Sequence, residues 1–125
     1  MSPAKNGSYV ESIIHRFGPF SDGQNAANIT YYNGTIYGIT VAGGVDNASC
    51  LSPQGAFGQN PHRVGCGTIY SVKPHGRDFR VLYRFQGNAD GNWPLAGLVV
   101  SNGSLYGTTL LGGKFGAGVA YKLTP

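Results

Sequence analysis

Asn102-Gly103-Ser104-Leu105-Tyr106-Gly107-Thr108-Thr109 repeats Asn33-Gly34-Thr35-Ile36-Tyr37-Gly38-Ile39-Thr40 at an offset of 69 residues, and this repeat decides the fold. Each copy opens on Asn-Gly, the pair that supplies the positive φ values of a type I′ turn. Strand-forming runs flank each pair: residues 29–32 and 35–41 in the first copy, 98–100 and 104–110 in the second. A hairpin is expected in both. The match continues outward. Gly112-Gly113 falls on Gly43-Gly44 at the same offset, and Arg84-Phe85 and Asp90-Gly91 fall on Arg16-Phe17 and Asp22-Gly23 at 68. Gly118-Val119-Ala120-Tyr121-Lys122-Leu123-Thr124-Pro125 falls on Gly67-Thr68-Ile69-Tyr70-Ser71-Val72-Lys73-Pro74 at 51. The drop from 69 to 51 places an 18-residue insertion in the first copy, between Gly44 and Gly67. Without it the unit is near 50 residues long, inside the range of propeller blades.

A third strand is expected at 68–72 and again at 119–123, and a fourth at 79–85, after the turn Pro74-His75-Gly76. Residues 9–17 match that fourth strand. The expected fold is therefore all-β, with two β-propeller blades per chain. Residues 9–17 form an orphan outer strand. Residues 18–85 form the first blade with an inserted loop at 45–64, and residues 86–125 form a second blade lacking its fourth strand. Two blades cannot close a propeller, which needs about four to eight. Exposed strand edges invite a partner. Head-to-tail association, each N-terminal strand completing its neighbour's second blade, closes a ring. The expectation is a homotrimer of six blades, with a tetramer of eight as the other closed solution.

Composition agrees. The chain has 125 residues with 11% charged, 41% hydrophobic and 12% aromatic, and 21 glycines without a G-X-Y period. That excludes collagen and disorder. The longest apolar run, residues 95–100, contains a glycine and is far too short to cross a membrane. The net charge of +4 comes from nine Lys and Arg scattered from Lys5 to Lys122, so no basic stripe for nucleic acid exists. Cys50 and Cys66 lie at the insertion without zinc-finger spacing, and a bridge between them would contribute roughly 3 kcal/mol. Such a bridge suits a secreted or periplasmic protein. The N-terminus lacks a signal peptide's apolar segment, so export would require a leader already removed or a longer parent chain.

Leu105-Tyr106-Gly107-Thr108-Thr109, Gly112-Gly113, Gly118 and Tyr121-Lys122-Leu123-Thr124-Pro125 together resemble the GloVer repeat of exported bacterial proteins. Phe85, Gly87, Asp90-Gly91, Pro94 and Gly97-Leu98 also fit that pattern. The first copy departs from it: Tyr37-Gly38-Ile39-Thr40 lacks one Thr, residues 25–27 lack the proline, and the insertion is extra. The resemblance spans residues 13–125 and implies propeller-like repeats and export. It carries over no catalytic residue.

Candidate sites follow from residue chemistry. His62 and Arg63 in the inserted loop, and His15 in the orphan strand, are the catalytic candidates, loops being where function concentrates. His75 reads as a turn residue. Asp22, with Asn25 and Asn28, and Asp90, with Asn88 and Asn92, offer oxygen ligands for calcium, although both Asp-Gly pairs also read as turns. Trp93, Tyr37, Tyr106 and Asn92 offer the apolar faces and amide groups of a sugar site, with Trp93 placed in a loop at a blade edge. The leading function is a lectin-like, ligand-binding propeller module for glycans or small polar molecules. The alternative is an ester, lactone or phosphotriester hydrolase, with calcium, zinc or a His/Arg pair in the tunnel or at the subunit interface. A third reading is a purely structural repeat.

Overall fold

The computed structural model describes residues 2–3, 9–50, 64–87 and 89–125. Both Asn-Gly pairs turn as expected: φ is 52° and 83° at Asn33 and Gly34, and 49° and 78° at Asn102 and Gly103. In chain order the strands are β1 (Ser2–Pro3), β2 (Tyr9–Val10), β3 (Gln24–Tyr32), β4 (Thr35–Ala42), β5 (Thr68–Val72), β6 (Arg80–Arg84), β7 (Asn92–Pro94), β8 (Val99–Ser101), β9 (Ser104–Leu111) and β10 (Ala120–Leu123). The fold is all-β. A four-stranded antiparallel meander, β3-β4-β5-β6, forms the first sheet, and β7 and β8 with β9 and β10 form the second. β1 and β2 make a separate short pair.

The second sheet repeats the first with one change. Gln24 opposite Ala42 and Ala26 opposite Thr40 become Asn92 opposite Leu111 and Pro94 opposite Thr109. Thr30 opposite Tyr37 becomes Val99 opposite Tyr106. Between these anchors the first sheet carries a register shift from Ala26 to Ile29, while the second breaks its strand into β7 and β8. The extra residue there turns the offset from 68 into 69. A bulge absorbs such an insertion without moving either flank.

Side-chain hydrogen bonds repeat as well. Thr40 Oγ1 donates to the Ala42 carbonyl and accepts from the Thr68 amide. Thr109 Oγ1 donates to the Leu111 carbonyl and accepts from the Val119 amide. The amide of Gly67 bonds to the Gly43 carbonyl, and that of Gly118 to the Gly112 carbonyl. This last bond brackets the insertion in one repeat and a short turn in the other.

The core lies between the sheets. Ile39 and Ile69 of the first meet Leu98 and Leu105 of the second, around Phe85 and the Cys50–Cys66 disulfide. A second cluster joins Val41 and Ala42 to Trp93. Trp93 therefore departs from its expected place in an edge loop. It stands in β7, 6% exposed, because its indole fills the gap between the sheets. The insertion departs from the expected projecting loop at both ends. Its cysteines are buried in the core, Val64 bonds back to Cys50, and Asn47 Nδ2 donates to the Gln86 carbonyl. Residues 51–63 lie outside the described residues. The orphan strand at 9–17 is also only partly a strand: residues 11–18 carry no ladder within the chain.

Candidate functional site

β10 is an edge strand, and no described strand pairs with its outer side. Beside it opens a cavity of about 400 Å³ lined by Tyr83, Phe85, Asp90, Val119, Tyr121 and Lys122, among others. Its floor is the Phe85 ring, set edge-on to Tyr121 with centroids 5.2 Å apart and planes at 67°. Phe17 meets Tyr70 in the same way, 5.1 Å apart at 67°. Each tyrosine lies over a glycine, Tyr70 over Gly38 and Tyr121 over Gly107, where a Cβ would overlap the phenol. In the first repeat the corresponding space is filled. Phe79 stacks on His15 at 3.6 Å and lies 5.6 Å from Tyr70, and β6 pairs with β5. Segment 13–17 thus holds the place beside the first sheet that β6 and Phe85 hold beside the second.

Charge is arranged by the same repeat. Tyr83 Oη donates to Asp90 Oδ2 at 2.5 Å, and Asp90 accepts from the amides of Gln86 and Gly87. Sixty-eight residues earlier, His15 Nε2 lies 3.9 Å from Asp22 Oδ2. Burial, then the hydrogen bond and charge of Asp90, push the Tyr83 hydroxyl up to about 12. Burial alone pushes Tyr121 up to about 12 and also raises Tyr70. These phenols stay protonated near neutrality. Tyr83 acts as a donor to Asp90, and Tyr70 and Tyr121 serve as apolar walls rather than as bases.

The sequence candidates do not converge. His62, Arg63 and Asn88 lie outside the described residues. His15 is stacked against aromatic rings, and Asp90 is tied into its turn. No group of three or more His, Cys, Asp or Glu side chains that could hold a metal ion occurs among the described residues. Asn92 and Trp93 are buried neighbours in β7, Tyr37 is half-buried against the core, and Tyr106 is exposed on the opposite face of the second sheet. The residues that shape the cavity, Tyr83, Phe85 and Tyr121, are not among the sequence candidates. The signal was present: the offsets of 68 and 51 align Phe85 with Phe17 and Tyr121 with Tyr70.

The two outer faces complete the site. Ile29 and Tyr31, opposite Gly38 and Ile36, are exposed on the first sheet, and Val99, Tyr106 and Leu110 are exposed on the second. Two of their counterparts, Leu98 and Val41, are buried inside the chain, and the others, Val100, Thr30 and Tyr37, are half-buried. Ile29 is 62% exposed and its counterpart Leu98 7%, while Leu110 is 47% exposed and its counterpart Val41 7%. Comparison with protein-family models, curated proteins and solved structures finds no match to this chain.

Among the described residues no helix is long and apolar enough to cross a membrane. The disulfide is of a kind that persists in oxidising surroundings.

Proposed function

We propose that the chain is one protomer of a closed, propeller-like ring that serves as an exported ligand-binding module. One observation carries the reading: Ile29 and Leu110, exposed on the two outer faces, are the repeat counterparts of Leu98 and Val41, buried between the sheets. A second copy laid head to tail covers them, as the second sheet covers the first. Segment 12–16 then becomes the fourth strand of the neighbour's second sheet. Transfer of the β5–β6 register sets Arg16 opposite Val119, His15 opposite Ala120, Ile13 opposite Tyr121 and Ser12 opposite Lys122. The strand needs no large movement, because Phe17 and His15 already rest on their own first sheet.

Three copies give six blades, a closed heterologous ring. The resemblance to GloVer repeats supports both the blade reading and export. Binding is favoured over hydrolysis because His15 and Asp90 are engaged in packing and turn bonds. The ligand class remains small polar molecules or glycans, met by Tyr and Asn side chains on the ring. Light scattering at micromolar concentration should give three copies of the 13.1 kDa chain. A folded monomer there overturns the ring. A glycan array and a small-metabolite thermal-shift screen test the ligand, and silence in both at high concentration leaves a scaffold in place of a binding module.

A further inference from the structure

The bracket closed by Gly43 and Gly67 in the first repeat, and by Gly112 and Gly118 in the second, holds loops of different length at one place in the fold. The described ends of the long loop are anchored. The loop runs from the first sheet onto the lead-in turn of the second, where Asn47 bonds the Gln86 carbonyl and a Cβ on Gly87 would touch Ser49 and Cys66. Its two cysteines fill the core between the sheets. The short loop carries Lys114 and Phe115 on a tight turn, with the Gly116 amide bonded to Gly113. Phe115 is 86% exposed, more than any other large apolar residue described, and the Lys114 ammonium lies 5.4 Å from its ring centre.

We infer that Phe115 is an intersubunit plug, inserting against the turn at residues 17–20 of a second copy of this chain. The inference rests on the ring reading and specifies its seam. Subtracting 68 from the residues contacted by the long loop, 85–87, gives 17–19, which lead into Phe20. That turn presents Phe17, Pro19 and an exposed Phe20, an apolar match for a phenyl ring. The seam also needs filling. Ile39 and Ile69, buried between the sheets, have Thr108 and Ala120 as counterparts on the outer face, and the disulfide has no counterpart there. Trp93 likewise corresponds to Asn25, and both adopt the same left-handed backbone, with φ of 66° and 58°. Side-chain volume lost at the seam is replaced by a ring that is otherwise left in water. Well-packed interface aromatics of this kind carry a disproportionate share of binding energy.

The test compares the full chain with Phe115→Ser, Phe20→Ser and a deletion of residues 1–17, by light scattering over a dilution series. Trp93 fluorescence reports whether each chain remains folded. Phe115→Ser and Phe20→Ser should each raise the dissociation concentration about tenfold or more, with Trp93 emission unchanged at the wild-type wavelength. A trimer that survives Phe115→Ser undiminished but is lost on deletion of 1–17 overturns the plug and keeps the ring. A wild-type monomer overturns both. A cysteine pair, Phe115→Cys with Phe20→Cys, gives a second reading: covalent trimers on a non-reducing gel support the contact, and purely monomeric bands refute it.

Discussion

Gly38 and Gly107 show how a single missing side chain shapes the sheets. Each leaves room for the phenol of the strand opposite, Tyr70 or Tyr121, to lie flat on the backbone. Gly38→Ala should cost about 1–3 kcal/mol in urea unfolding, because the added methyl must displace a buried ring. The Gly38→Ala/Tyr70→Ala pair should lose less than the sum of the single changes, since removing the ring removes the clash. The raised phenols give a second expectation. A tyrosine whose folded value lies above its unfolded value of 10.0 contributes stability that is whole below pH 10 and lost as pH climbs towards 12. Stability followed by urea titration should therefore be flat to pH 10 and fall beyond it. Tyr121→Phe should shallow that fall, and an identical slope in the variant would remove Tyr121 from the account. Residues are also where sequence reading failed. Trp93 occupies the backbone position of Asn25, and a bulky residue at positive φ carries strain of order 1–3 kcal/mol. Burial offsets that strain, and burial depends on a neighbouring sheet that no local pattern reveals.

At the level of elements the repeat was highly legible. Period-2 runs and Asn-Gly pairs placed β3, β4, β8 and β9, and the offsets placed β5, β6 and β10. Most boundaries moved by a residue or two, but β3 starts five residues before the expected 29, and its counterpart β7 was missed because Asn92-Trp93-Pro94 carries no alternation and ends in a proline. The inserted loop and its disulfide were legible, but the burial of the two cysteines was not. Its disulfide was expected as a staple on a projection, whereas both cysteines are core residues. Sequence distance tells that two cysteines are able to meet, not what surrounds them. Replacing residues 45–66 with the short turn Lys114-Phe115-Gly116-Ala117 tests the difference. The bracket at Gly43 and Gly67 should keep the first sheet folded, with its circular dichroism retained. Global stability should still fall by about 3 kcal/mol or more, from the lost cross-link and core volume. Stability equal to the native chain would return the loop to the status of an ornament.

For the molecule as a whole, the tandem repeat is what the sequence makes legible: the strand pattern recurs at fixed offsets, and two antiparallel sheets recur with it. The structure adds what each sheet leaves uncovered: β10 is an edge strand, as β3 and β6 are in the first sheet, and apolar side chains are exposed on both outer faces. Three copies fused end to end through short linkers should yield a monomer with the hydrodynamic radius of the proposed native trimer. A fusion that instead forms long polymers would show that the junction angle does not close. The buried disulfide carries a different consequence. Cys50 and Cys66 have no exposed surface, walled in by Ile39, Ile69, Phe85, Leu98 and Leu105. A thiolate must approach a sulfur directly to exchange with it, so a reductant has to wait until the two sheets part. The bond is then a clock: the interval before reduction in mild thiol measures how often the seam between the sheets opens.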